Sequence, residues 1–267
     1  MIAAGSDWSY ALARTAPDKK NAIFALYNYA QTLNHTAERY HEPSMAEIKL
    51  HWWQEEIERL FQQHAQHPLA QTLQTAAQQW PLNKVALLAI IEAALLSLKT
   101  QRFETQSELA QHYQHTGGII HSLMATVLND GIIDQHTEKY AHTLGIALET
   151  IRHIIDTPFH LARQHLYFPA ESLEQQNVDL PALFNKPQGN TQLTALLKEQ
   201  ANWARQQYQQ ALEQLPSNQL ATQRPIRLYA ALCFTQLDKI EQDDFAVCEH
   251  RIELSPLKKW WRSIRFH

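Results

Sequence analysis

Along this chain, apolar residues recur mostly three and four positions apart, the spacing of one helix face. Asp18 to Leu33 predicts a first long helix, with Ala22, Leu26, Tyr29, Ala30 and Leu33 on one side. Pro17 lies near its start, where proline is tolerated. After a break near Pro43 and Ser44, a second helix is predicted from Met45 to Gln63, with Ile48, Trp52, Ile57, Leu60 and Phe61 as its buried stripe. Of the pair Trp52-Trp53, one ring is expected in the core and the other over the helix surface. His67-Pro68 opens another helix and Trp80-Pro81 ends it. Asn83 to Thr100 is apolar nearly all round, as in a helix at the middle of a bundle. Ser107 to Leu128 carries Gly117-Gly118 inside its apolar pattern, which predicts close packing or a kink. Gly131 interrupts next. Thr137 to Ile155 is helical, and Pro158 is expected to bend or end it. A polar loop runs from Tyr167-Phe168-Pro169 to Pro187. Thr191 to Gln214 and Leu228 to Gln242 predict two more amphipathic helices, and Pro256 to Phe266 is basic and aromatic.

Composition agrees with an all-α fold. Only 6 glycines and 11 prolines in 267 residues leave few turn residues for a sandwich or barrel. No repeat or linker divides the pattern, so residues 1–267 are read as one domain. A net charge of -4 supplies no basic field, and nucleic acid is not an expected partner. Cys233 and Cys248 form neither a disulfide framework nor a zinc spacing, which fits a reducing cytoplasm. The start lacks the layout of a signal peptide. The most apolar stretch, Val85 to Leu98, contains Glu92 and is short for a bilayer. The expectation is a cytoplasmic protein that could touch a membrane at its surface. No Gly-rich phosphate loop, GxSxG or HExxH is present, and His64, His67 and the cysteines form no nucleophile–base pattern.

Four segments in order carry a resemblance. NAIFALYNYAQ, KLHWWQEEIERL, ARQHLYFPAESL and QLDKIEQDDFAVCEHRIELSPLKKWW are similar to the squalene and phytoene synthases. The resemblance covers almost the whole chain and implies an isoprenoid synthase bundle around a central cavity. Those enzymes join two prenyl diphosphates, using two aspartate motifs that hold Mg²⁺ on the leaving diphosphate. Mg²⁺ wants hard oxygen ligands, and the departing charge must be neutralised. Here the first motif falls on Asn34, His35 and Glu38, and the second on Asp156, Phe159 and His160. Only Glu38 and Asp156 keep a carboxylate. Ser97 stands where an aspartate is frequent, and His121 where a small glycine is usual. The stretch Thr157 to His160 is similar to a subgroup lacking these motifs, which includes a mitochondrial complex I assembly factor.

The resemblance therefore implies a binding or assembly protein, with an isoprenoid, a lipid or a respiratory-complex protein as candidate partner. The alternative is an active prenyltransferase. No metal or cofactor is expected, although an active enzyme would need Mg²⁺ at Glu38 and Asp156. Asp156 reads equally as a relic ligand or as an acid paired with Arg152 one turn back. His35, His153 and His160, with Glu38 and Asp156, offer imidazole and carboxylate for a transition metal, against the plainer reading of hydrogen-bonded histidines. Arg14 and Arg163 are candidates for an anionic head group, or are plain surface cations. The run Lys258, Lys259, Trp260, Trp261, Arg262 and Arg265 could rest on an anionic membrane, but the favoured reading packs its tryptophans on the bundle.

Overall fold

The computed structural model describes residues 5–40, 42–100 and 102–266. It is 74% helical, and the described residues form no strand. The α-helices in chain order are α1 (Asp7–Ala11), α2 (Pro17–Arg39), α3 (Pro43–Phe61), α4 (Pro68–Gln79), α5 (Lys84–Lys99), α6 (Gln106–Tyr113) and α7 (Ile119–Leu128). Then come α8 (Gln135–Leu161), α9 (Ala170–Gln175), α10 (Leu180–Asn185), α11 (Thr191–Gln214), α12 (Arg224–Gln242) and α13 (Pro256–Arg265).

The helix starts follow local chemistry. Pro17, Pro43 and Pro68 sit in the first turns of α2, α3 and α4, where a missing N–H costs nothing. Asn83 Oδ1 accepts from Val85 N at 2.8 Å, and Asp134 Oδ1 accepts from His136 N and Thr137 N at 2.9 Å, capping α5 and α8. Glu56 of α3 is a longer-range cap. Its buried carboxylate accepts from Gln66 N at 2.6 Å, His67 N at 2.7 Å and Arg59 Nε at 2.8 Å. Burial pushes its pKa up, but the His67 backbone, Arg59 and Gln66 outweigh that and hold it below the ordinary value.

Helix α8 is the central post. It packs on α7, α11 and α12, and on a single π-helical turn, Gln114–Gly118, that joins α6 to α7. The expected close packing at Gly117 and Gly118 is met here by Gly145 of α8, which the helical pattern did not single out. A Cβ on Gly117 would lie 2.5 Å from Gly145 O, so the two backbones touch with no room for a side chain. The π-turn is the local distortion that this contact accompanies.

Three expectations need correction. The buried face of α3 is Ala46, Leu50, Trp53, Ile57 and Leu60, while Ile48 and Trp52 are exposed on the other side. The helix has apolar residues on both sides, and Trp53 enters the core against Tyr29 with ring centroids 5.7 Å apart. Of the two outcomes expected at Pro158, a bend or an end, the end is not formed: α8 runs past Ile155 to Leu161, and the missing hydrogen bond falls in the last turn, where the loss is small. The polar loop after Pro169 contains the short helices α9 and α10. Gly131, after α7, takes φ +98°, a left-handed value that glycine adopts without strain.

Candidate functional site

The two motif positions lie on α2 and α8. Because α2 continues past Leu33 to Arg39, Glu38 is carried to the face of α8 that bears Arg152, Asp156 and His160. Between them sits Arg152. Its Nη2 donates to Glu38 Oε1 at 2.8 Å and its Nη1 to Glu38 Oε2 at 3.1 Å, a two-pronged contact across 114 residues of sequence. Its Nε donates to Glu149 Oε2 at 2.8 Å, and Nη1 reaches Asp156 Oδ2 at 3.5 Å. Asp156 pairs with Arg152 one turn back, as one of its two readings expects.

The protonation pattern follows. Burial pushes Glu38 up, but the charge and hydrogen bonds of Arg152 outweigh it and hold Glu38 below the ordinary carboxylate value. Burial pushes Glu149 up too, and there Arg152 offsets it only in part. The difference fits the geometry, since Glu38 takes both terminal nitrogens and Glu149 a single Nε bond. Arg152 itself is held charged: burial opposes this, but Glu149 and Glu38 dominate.

Around the guanidinium is a layer of neutral rings. His153 Nδ1 lies 2.9 Å from Glu149 O, and its Nε2 lies 3.0 Å from Arg152 Nη2. These partners assign a proton to Nδ1 and a lone pair to Nε2. His153 stacks on Tyr113 at 4.9 Å and touches Tyr167 at 3.9 Å, and His160 approaches Tyr167 at 4.8 Å. Burial lowers His153 well below its ordinary value, and it takes His160 down to about 3 with Glu38 opposing. His112, against Phe103 and Tyr167, is lowered to about 4, mainly by burial. The space enclosed by Tyr113, His153, His160 and Tyr167 is about 10 Å³, room for roughly one water.

The remaining candidates scatter. Asn34 is buried in α2, whereas His35 faces solvent and joins nothing at the site. Phe159 lies under the Arg163 guanidinium, 4.1 Å from carbon to ring centre. Arg163, Glu38, Ser97 and His160 line one open cleft of about 420 Å³. His121 is buried elsewhere, bonded through Nδ1 to Gly117 O at 2.8 Å. Arg14 is far in role from Arg163: it neighbours Arg224, whose pKa is lowered by burial and by the charges of Arg14 and Arg227. Glu149, Tyr113 and Tyr167 were not picked out in the sequence as site residues. Glu149 could have been found as the i−3 partner of Arg152.

These residues do not fit a Mg²⁺ cluster. Glu38 spends both oxygens on Arg152, Asp156 shares the same cation, and Phe159 and His160 supply no carboxylate. Ligand atoms of Glu38, His153 and His160 do lie within 4.8 Å of one another. The Arg152 guanidinium already bonds two of the three, so a cation there would have to displace it.

The sequence model of squalene/phytoene synthases matches residues 3–260. The chain belongs to the squalene/phytoene synthase family. Among its relatives is the phytoene synthase of Mycobacterium tuberculosis, 22% identical over 260 residues, covering 96% of this chain and 84% of that protein. Another is assembly factor 6 of NADH dehydrogenase (ubiquinone) complex I from Mus musculus, 25% identical over 138 residues, covering 51% of this chain and 41% of that protein. The fold is similar to a dehydrosqualene synthase crystallised with a ligand, at TM-score 0.82 and 13% identity over 97% of this chain and 90% of the other. It is also similar to a squalene synthase from Alicyclobacillus acidocaldarius, at TM-score 0.70 and 18% identity over 89% and 88%. The all-α isoprenoid synthase architecture implied by the sequence is therefore the observed one.

Proposed function

We propose that this family member does not condense prenyl diphosphates and works instead as a binding or assembly protein. The observation that carries this reading is Arg152. A fixed cation joins Glu38 to Asp156 between the two motif helices, doing with protein charge what divalent ions do in an active enzyme. The ring layer beside Arg152 leaves only about 10 Å³, whereas the open cleft lined by Glu38 and Arg163, about 420 Å³, lies within the roughly 300–1,000 Å³ common for ligand pockets and suits a binding role. The match to a complex I assembly factor supports an assembly role in a respiratory complex over isoprenoid or lipid binding. An active prenyltransferase is the second reading, favoured by the nearly full-length match to phytoene synthases.

The deciding assay incubates the protein with farnesyl or geranylgeranyl diphosphate and Mg²⁺. Diphosphate release is expected to stay at the blank level. Robust turnover that Asp156→Ala abolishes would overturn the non-catalytic reading. The assembly role has its own readout. Cells lacking the chain are expected to contain less assembled NADH dehydrogenase complex, restored by the wild-type chain and by Asp156→Ala alike. An unchanged level of the complex would reject it.

A further inference from the structure

The last helix is turned inside out relative to the bundle. In α13, Leu257, Trp260, Trp261 and Ile264 fall at i, i+3, i+4 and i+7, so they share one face. All four are exposed, at 71%, 48%, 50% and 41%, and no residue of the helix is buried. The side that meets the body is Lys259, Ser263 and, just beyond, Phe266, all half-buried. Lys259 Nζ pairs with Asp7 of α1 at 2.9 Å, and Arg224 of α12 donates to Ser263 O at 3.0 Å and Phe266 O at 3.1 Å. The helix is thus bolted to the bundle by polar contacts, and its apolar stripe points outward. The favoured reading of the sequence, with the tryptophans packed inward, does not hold.

Charge shows what the stripe would meet. The helix carries Lys258, Lys259, Arg262 and Arg265 and no acid, in a chain whose net charge is -4. Lys258, Arg262 and Arg265 flank the apolar stripe on one side at helical spacing, and all are exposed. Arg265 lies over the Trp261 ring at 3.9 Å. Arg14, Arg224 and Arg227 extend the positive field past the helix end. A tryptophan-rich face edged by cations on one side matches the boundary between acyl chains and anionic head groups.

We propose that α13 is an interfacial helix that seats this protein on an anionic membrane surface. It lies flat, with Leu257, Trp260, Trp261 and Ile264 in the outer acyl region and Lys258, Arg262 and Arg265 at the lipid phosphates. The helix is about three turns long, and the covered area together with the cations sets the strength, so binding is reversible. No helix among the described residues is long and apolar enough to cross a membrane, and none is needed. This inference stands apart from the catalytic question, since α13 shares no residue with the Arg152 cluster.

The test is flotation of the full chain with phosphatidylcholine vesicles, with and without phosphatidylglycerol. Flotation is expected only with the anionic vesicles and is expected to weaken with added salt. Reversing three charges, Lys258→Glu/Arg262→Glu/Arg265→Glu, should lower the partition constant by at least about a hundredfold, since each cation near the surface is worth about 1 kcal/mol. Trp260→Ser/Trp261→Ser should also abolish flotation while circular dichroism stays unchanged, because neither ring is buried. Equal flotation with neutral vesicles, or full binding by either variant, would overturn the proposal. So would a concentration-dependent dimer that does not float and that Trp260→Ser/Trp261→Ser dissolves, which would assign the stripe to a second copy of the chain.

Discussion

Arg152→Ala is expected to cost about 3–5 kcal/mol of folding stability at neutral pH, the range for leaving buried charges without their partner. The side chain is only 19% exposed, and Glu38 and Glu149 beside it are 11% and 10% exposed, so water cannot replace it. Asp156 is more open and adds little. The measurement is a urea unfolding curve at pH 7, read as the midpoint at constant slope. Arg152→Leu combined with Glu38→Gln and Glu149→Gln removes the charges together. It is expected to recover roughly half of the loss or more, because what destabilises the single variant is the uncompensated carboxylates. A loss below about 1 kcal/mol for Arg152→Ala would mean that the cluster is solvated and that Arg152 does not close the site.

The second large effect is acid sensitivity. His112 and His121 are lowered by burial from an ordinary 6.5 to about 4, His160 to about 3, and His153 well below its ordinary value. A group whose folded pKa is depressed is fully stabilising above its unfolded value and loses that contribution as pH falls toward the folded one. Between pH 6.5 and about 4 the unfolded chain therefore binds more protons, and stability falls with pH. Each of these histidines contributes a slope of up to about 1.36 kcal/mol per pH unit, so these four give about 5 kcal/mol per unit, and His142 and His165, also lowered by burial, add to it. A domain holding about 5–15 kcal/mol would then unfold one to three units below pH 6.5. The groups facing His153 and His160 are Glu38, Glu149, Arg152, Arg163, His112, His165, Tyr113 and Tyr167. Among these, the raised pKa of Glu149 acts in the opposite sense, since its protonation relieves a buried charge. Glu38, held low, adds to the acid loss only below its ordinary value of 4.5. Urea midpoints at pH 8, 7, 6 and 5 measure the profile, and a flat series would refute it. His121→Leu removes one group away from the cluster and is expected to reduce the slope by about 1.36 kcal/mol per pH unit at most.

Both effects arise from the same substitution of chemistry. In an active site of this type, carboxylates stay ionised because metal and diphosphate balance them. Here Glu38 stays ionised because a guanidinium was built between the helices, and the histidines around it stay neutral because burial denies them a proton. The cluster borders the open cleft lined by Arg163, Ser97 and Tyr167.

How much of this was legible along the chain depends on whether the controlling contact is local. The helices, their proline starts, the tight spot at Gly117 and Gly118, and the family could all be read, because each rests on spacing within about a turn or on short motifs in order. The buried side of α3 could not, because Ile48 and Trp52 continue the apolar period as well as Leu50 and Trp53 do. Only the presence of Tyr29 on one side decides between them. Arg14 and Arg163 looked alike as cations, and the fold sends them to different places, one near Arg224 and the other to the cleft that Glu38 lines.

The sequence by itself determined an all-helical bundle of the squalene/phytoene synthase family, since periodicity and short motifs in order are properties of the chain. Tertiary structure alone decided that Arg152 joins Glu38 to α8, through a contact spanning 114 residues, and that the tryptophans of α13 face outward. Pairing and burial are set by what lies opposite a side chain, and distance along the sequence does not specify that.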